Sequence, residues 1–377
     1  MFAGKLVATV GGLDTVEIPA LSKFFFRDKS LLSLVWSHPF LLHQYYLDSV
    51  KALKKAKEKR RKGNGKRQQQ KEVSNFMAQI GPSWYRGLVD PTVDGDLPEL
   101  SHKTELLFAI LDAAEALGDK VVVFSQSLLV LDLLERFLAK KVNPFLAEDD
   151  EENLGWHKNV DYFRIDGAVD CDDRAELIKD FNNIENRRAR LMLVSTRAGG
   201  LGVNLVGANR AVLFDASFNP ATDLQAVFRV YRLGQDKPVF IYRLISYGTM
   251  EAKVYKRQVQ KQSLSRRVVD EHSVVRHYKA QELEEMYKLD ADYGDLEDRD
   301  FELDFAPVLE AKPDPLLSGL LLSLMNGQRR DGQVVLGLHE HDDLLERGGF
   351  VEEDSESSES SESSLLGKEV DDEDSEE

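Results

Sequence analysis

The sequence predicts an α/β domain built on a parallel sheet with helices on both faces. Short apolar runs in its middle third are continuous rather than alternating, as strands buried on both sides require. Segments with the 3.6-residue period of a helix separate these runs. Strand and helix in alternation are joined by right-handed crossovers, which lay the strands parallel and cover both faces.

In chain order, 24–26 (Phe-Phe-Phe) and 31–36 read as buried helix closed at His38-Pro39, because proline disfavours helix in the residue before it. A lone histidine before proline is most often structural, and no partner for His38 is visible in the sequence. Residues 51–71 carry eleven Lys/Arg against one Glu and include Gly63-Asn64-Gly65. That composition fits a solvated helix running into a flexible linker, and equally a nuclear-import or nucleic-acid-contacting patch. From Ser101 the pattern is regular. Residues 103–117 are helical in period, 120–125 read as a strand, and 128–138 are helical again. Residues 161–165 read as a strand and Asp166-Gly167 as a turn. A helix over 172–181 follows, with Asp170 or Asp172 as its cap. Strands are expected at 190–194, 210–214 and 239–245, with a helix over 225–235 between the last two. A long amphipathic helix after Thr249 carries Val254, Tyr255, Val259, Leu264 and Val268 on one side, with Arg257, Lys261, Arg266 and Arg267 elsewhere. Beyond about residue 290 periodicity fades, and the Ser/Glu/Asp-rich stretch after Val351 is expected to be disordered.

Composition narrows the functional classes. The 377 residues carry a net charge of −17, but the ends dominate it. Residues 351–377 hold thirteen Asp/Glu and one Lys, whereas 101–265 hold 22 basic against 23 acidic residues. Overall acidity therefore says little about what the middle binds. A single cysteine, Cys171, rules out an internal disulfide or a cysteine-built zinc cluster and fits cytosol or nucleus. There is no secretion signal at the start and no apolar run of roughly 18 residues.

Functional residues in parallel sheets gather at the carboxyl ends of the strands. Those ends carry Ser125-Gln126, Asp166-Gly167, Ser195-Thr196 and Asp215. The stretch 196–202 places Gly199, Gly200 and Gly202 within four residues, so that backbone N–H groups can approach an anion closely. Tight turns use glycine as often, and this is not a G-x-G-x-x-G pattern. In the predicted helix over 225–235, Arg229 and Arg232 share one face with Gln225 a turn earlier, and Gly234 offers a stop. Two guanidiniums so placed suit a polyphosphate. An ordinary solvated basic helix end accounts for the spacing equally well.

Five stretches, in this order and spacing, resemble the second RecA-like lobe of SWI/SNF-type, superfamily-two helicase-like ATPases. They are Lys-Val-Val-Val-Phe-Ser-Gln-Ser (120–127), Tyr-Phe-Arg-Ile-Asp-Gly (162–167), Ser-Thr-Arg-Ala-Gly-Gly-Leu-Gly-Val-Asn-Leu (195–205), Asp-Ala-Ser-Phe-Asn-Pro (215–220) and 225–235. Phe228, giving Phe-Arg-Val-Tyr-Arg, is similar to the ATRX and androgen-receptor-interacting branch of chromatin remodellers. The resemblance covers roughly 20–290. It implies a helical segment over 1–50, a basic linker over 51–80, the lobe over 81–265, a brace-like helical extension over 266–300, and an acidic tail over 301–377.

The same resemblance implies roles. Gln225, Arg229 and Arg232 would face ATP with magnesium held by a first lobe, the arginines acting as fingers on the transferring phosphoryl group. Gly199, Gly200 and Gly202 would let their loop respond to nucleotide, and Ser125, Gln126, Ser195 and Thr196 would contact the DNA phosphate backbone. Double-stranded DNA or chromatin would be the partner in the nucleus, with histones a candidate for the acidic tail. No G-x-x-x-x-G-K-[ST] and no Asp-Glu-x-His occurs, and Asp270-Glu271-His272 has the wrong spacing and no metal-ligand pattern. The chain alone is therefore expected not to hydrolyse ATP. Whether it is a piece of a longer protein is open. The alternative is a non-catalytic DNA- or chromatin-binding adaptor derived from such an ATPase.

Overall fold

The computed structural model describes residues 18–61, 95, 97–143, 155–196, 202–267, 286–287 and 314–317. Five parallel strands form one sheet in the order β2-β3-β1-β4-β5. They are β1 (Val121–Ser125), β2 (Tyr162–Ile165), β3 (Leu191–Ser195), β4 (Arg210–Leu213) and β5 (Phe240–Arg243). The helices are α1 (Ile18–Ser37), α2 (Pro39–Arg61), α3 (His102–Ala116), α4 (Leu128–Lys140), α5 (Cys171–Asn182), α6 (Pro220–Val227) and α7 (Met250–Arg267). The expected α/β class and two-sided sheet hold.

The continuous apolar strands are explained by how their residues divide. Val121, Val123, Leu191, Leu193 and Val212 join a core with α3, α4, Leu34 of α1 and Leu41 of α2. Their neighbours Val122, Phe124, Phe163, Ile165, Met192, Val194, Ala211 and Leu213 join a second core with Phe181 of α5 and Ala226 and Val227 of α6. Alternate residues point to opposite faces, so both sets must be apolar when both faces are covered.

The first two helices pack onto this domain. α1 stops before His38-Pro39, as the sequence suggests, and α2 starts with proline at its first position. His38 is completely buried and does have partners: one ring nitrogen lies 3.1 Å from the Leu97 carbonyl, and Nδ1 accepts from the Phe40 N–H. The Ser101 hydroxyl donates to the Ser37 carbonyl at 2.6 Å. α2 continues without a break into the basic run as far as Arg61, with Lys51, Lys54 and Lys55 exposed. The rest of that run, Asp270-Glu271-His272, the extension apart from 266–267 and 286–287, and the acidic tail apart from 314–317 lie outside the described residues.

Candidate nucleotide and DNA-backbone site

Ser125 and Ser195 are register partners at the carboxyl ends of β1 and β3. Asp166 follows β2, and Phe214 donates its N–H to the Phe124 carbonyl, setting Asp215 beside Ser125. All four polar turns thus lie on one rim. β1 connects leftward in the sheet to β2 whereas β4 connects rightward to β5, so the rim between them is a topological switch point.

Asp215 organises that point. Its carboxylate accepts from the Ser125 hydroxyl at 2.5 Å, from the Gln126 N–H at 3.0 and 3.1 Å, and from the Gln126 side-chain amide at 3.1 Å. Gln126 also donates to the Ala216 carbonyl. Ser125 is fully buried, so its hydroxyl fixes the turn. Gln126 is half-buried at the rim, and Ser195 and Thr196 are buried beside it. Thr196 Oγ1 is buried and has no hydrogen-bond partner among the described residues.

Behind the rim lies a buried polar layer that no local pattern in the sequence marks. Lys103 of α3 donates to both carboxylate oxygens of Glu251 of α7, at 2.8 and 2.6 Å, and to the Phe214 carbonyl at 2.9 Å. Glu251 also accepts from the N–H groups of Ala216 and Ser246. Asp223 accepts from the Ser217 N–H and the Gln258 side chain. Burial pushes the Asp223 carboxyl above its ordinary range, against the hydrogen bonds from Ser217 and Gln258. Lys29 of α1 donates to the Ala216 carbonyl, and burial lowers its pKa although Asp215, Glu251 and Asp223 pull the other way.

The arginine segment departs from the expected helix. α6 ends at Val227, so Arg229 and Arg232 lie on a turn beyond it and share no helical face. The N–H groups of Arg229 and Val230 bond three residues back, to Ala226 and Val227, tightening the chain. The Arg229 carbonyl then accepts from the Leu205 N–H at 2.9 Å instead of from a later residue of its own segment. Val230 is fully buried in the second core, which turns the chain inward. Gly234, at φ +98°, serves that turn and not a helix end.

Gln235 fastens the segment. Its Nε2 donates to the carbonyls of Ala208 at 2.7 Å, Val206 at 3.2 Å and Val230 at 3.4 Å, and its Oε1 accepts from the Lys237 N–H. The arginine turn is thereby tied to the chain that follows Gly202, whose φ is +77°. Gly199 and Gly200 lie outside the described residues. Gln225 and Arg232 are exposed and Arg229 is half-buried, with its Nε buried and without a hydrogen-bond partner among the described residues. Among the described residues neither arginine forms an ion pair with a carboxylate. Guanidiniums that lack a carboxylate partner fit an anionic group such as a nucleotide phosphate. No group of three or more metal-ligating side chains occurs among the described residues. Phe228, Tyr231 and Leu233 are all more than half exposed beside the arginines, Leu233 at 98%.

Residues 102–234 match the helicase conserved C-terminal domain. Over 271 residues the chain is 45% identical to the transcriptional regulator ATRX of Mus musculus, covering 70% of this chain and 10% of that protein. Helicase ARIP4 of Xenopus tropicalis is 47% identical over 204 residues, 54% of this chain and 14% of that protein. A solved SWI2/SNF2 ATPase core domain of Sulfolobus solfataricus has 27% identity, covering 52% of this chain and 36% of that one, at a TM-score of 0.37. The chain therefore spans only 10% to 14% of the two full-length relatives.

Proposed function

Because this chain carries the helicase C-terminal domain of an SNF2-type ATPase, similar to ATRX and ARIP4, we propose that it works as the second lobe of an ATP-dependent DNA translocase acting on chromatin in the nucleus. The observation that carries this reading is the arginine turn. Arg229 and Arg232 have no carboxylate partner among the described residues, yet Gln235 and the Leu205–Arg229 backbone bond hold their segment in place. A cationic segment fixed in advance can stabilise charge without reorganising.

ATP with magnesium, held mainly by a first lobe, supplies the transferable phosphoryl group. This chain's part is to present the Arg229 and Arg232 guanidiniums, and Gln225, Gly199, Gly200 and Gly202 are proposed to serve the same nucleotide. The apolar side chains of Phe228, Tyr231 and Leu233 give a first lobe something to cover. On the rim, Gln126 and Thr196 would meet a DNA phosphate, with Ser125 and Ser195 shaping the turns beneath them. Such contacts position a duplex and do not read its sequence. The acidic tail is proposed to engage histones, whose basic charge complements it.

The test supplies a separately purified first lobe bearing a Walker A loop and an Asp-Glu-x-His stretch. Duplex-stimulated ATP hydrolysis should appear only in the mixture. With Arg232→Ala it should fall by about 10³-fold or more, the range known for arginine fingers. Hydrolysis by this chain alone, or a mixture indifferent to Arg232→Ala, would overturn the assignment. If Arg229 and Arg232 are dispensable while duplex binding still needs Gln126 and Thr196, the chain is an adaptor.

A further inference from the structure

At the other end of the sheet from the rim, a short piece of the 301–377 region enters the fold. Arg210 opens β4 and, at 2% side-chain exposure, is the largest fully buried side chain among the described residues. Its Nε donates to Asp119 at 2.8 Å, and its guanidinium lies 4.5 Å from the centre of the Phe240 ring. Asp119 is also shared with Lys237 at 3.1 Å, so two cations draw on one carboxylate. Asp314 provides the second. It accepts from Arg210 Nη1 at 3.0 and 3.2 Å and from the Tyr242 hydroxyl at 2.5 Å, while that hydroxyl also receives a bond from Arg210 Nη1. A guanidinium buried this deeply needs such pairing, because an uncompensated buried charge is strongly destabilising.

The next residues complete a recognition pattern. Asp314 also accepts from the Leu316 N–H at 3.1 Å, a local turn that aims Leu316 into the first core, where it is 2% exposed. Pro315 between them is exposed. The stretch is thus held at two points, a buried carboxylate paired with a guanidinium and a leucine buried in the core, with an exposed proline between them. Among the described residues, none of the hydrogen bonds or ion pairs of this arrangement involves Ser125, Gln126, Ser195, Thr196 or the arginine turn.

We propose that Arg210, Tyr242 and Asp119, with the neighbouring core, form a peptide-docking site whose occupant is this chain's own Asp-Pro-Leu-Leu stretch, residues 314–317. The stretch acts as an internal ligand held at the end of the sheet opposite the rim. The full-length variant carrying both Asp314→Ala and Leu316→Ala should vacate the site. A fluorescent peptide of residues 311–320 should then bind this variant and not the wild type, whose site is filled. The same peptide with its aspartate changed to alanine should bind neither. Binding to both proteins alike, or to neither, overturns the proposal, as does a concentration-dependent dimer in which the stretch comes from a second copy. Should the double variant fail to fold, Tyr242→Phe in the full chain gives a milder readout. Removing one hydroxyl donor to a charged acceptor should speed hydrogen exchange at the Leu316 amide about tenfold. Unchanged exchange there would equally sink the idea.

Discussion

At the scale of single residues, the rim was legible in the sequence and its wiring was not. Ser125, Gln126, Ser195, Thr196 and Asp215 each stand out as polar residues ending apolar strands. That Asp215 holds Ser125 and Gln126, 89 or 90 residues away in sequence, depends on β1 and β4 being neighbours. Gln235 is similar: nothing in the arginine stretch itself marks it, yet it donates to three carbonyls. Gln235→Ala should cost about 1 to 3 kcal/mol by leaving buried carbonyls unmet. Gln235→Glu should be worse, since it sets an acceptor against three acceptors, and urea midpoints should fall in that order. Lys120 offers a test in pH. Its ammonium donates to the carbonyls of Phe181 and Asn183 at the end of α5, at 2.7 and 2.8 Å. Burial, with help from Arg190 and Lys237, lowers its pKa to about 8 from 10.5. Between those values the unfolded chain binds the extra proton, so folding becomes more favourable as pH rises through that window, and below about pH 8 the penalty is constant. Relative to Lys120→Met, the wild type should gain about 1.4 kcal/mol per pH unit across it, read by urea denaturation at each pH.

Elements were read well where the signal is local. Each expected strand and helix of the sheet region is present to within a few residues, because two-sided burial writes continuous apolar runs and amphipathic burial writes a 3.6 period. The exception is the arginine segment. Leu-Gln-Ala-Val-Phe-Arg-Val-Tyr-Arg is compatible with helix, but Leu205 takes the Arg229 carbonyl and the second core takes Val230. Tertiary hydrogen bonds and burial outweigh the modest preference for continuing a helix there, where Val, Phe and Tyr are only middling helix formers. α7 is likewise placed by a partner in another element. Glu251 in its first turn joins Lys103 of α3 and two N–H groups behind the rim. Glu251→Ala would leave the Lys103 ammonium buried without its counter-ion, and should destabilise the protein by about 3 to 5 kcal/mol. Thermal or chemical unfolding would measure it, and a loss near zero would mean that Lys103 finds another partner.

On the scale of the whole molecule, the N-terminal helices and the sheet domain form one packed body among the described residues. Lys29, Ser37, His38, Leu34 and Leu41 all meet residues of the sheet domain or the loop that leads into it. Residues beyond the sheet domain return as well, through Tyr287, whose hydroxyl donates to Asp28, and through Asp314. If the proposed role is right, this body should bind duplex DNA without sequence preference. Affinity should fall steeply with salt, by a slope of about −0.9 for each phosphate neutralised. Electrophoretic mobility shifts across a salt series would measure this, and salt-independent binding would count against backbone contact.

The sequence by itself determined the class of the fold, the order of its elements, the polar rim and the likeness to a helicase lobe. These are properties of runs of neighbouring residues, and period, turn chemistry and motif spacing record them. Only the tertiary structure decided which groups satisfy one another: Asp215 with Ser125 and Gln126, Glu251 with Lys103, Asp314 with Arg210. It also decided where α6 stops. Buried polar groups are satisfied by whatever the topology brings within about 3 Å. Partners separated by 148 or 104 residues leave no mark in the pattern around either of them.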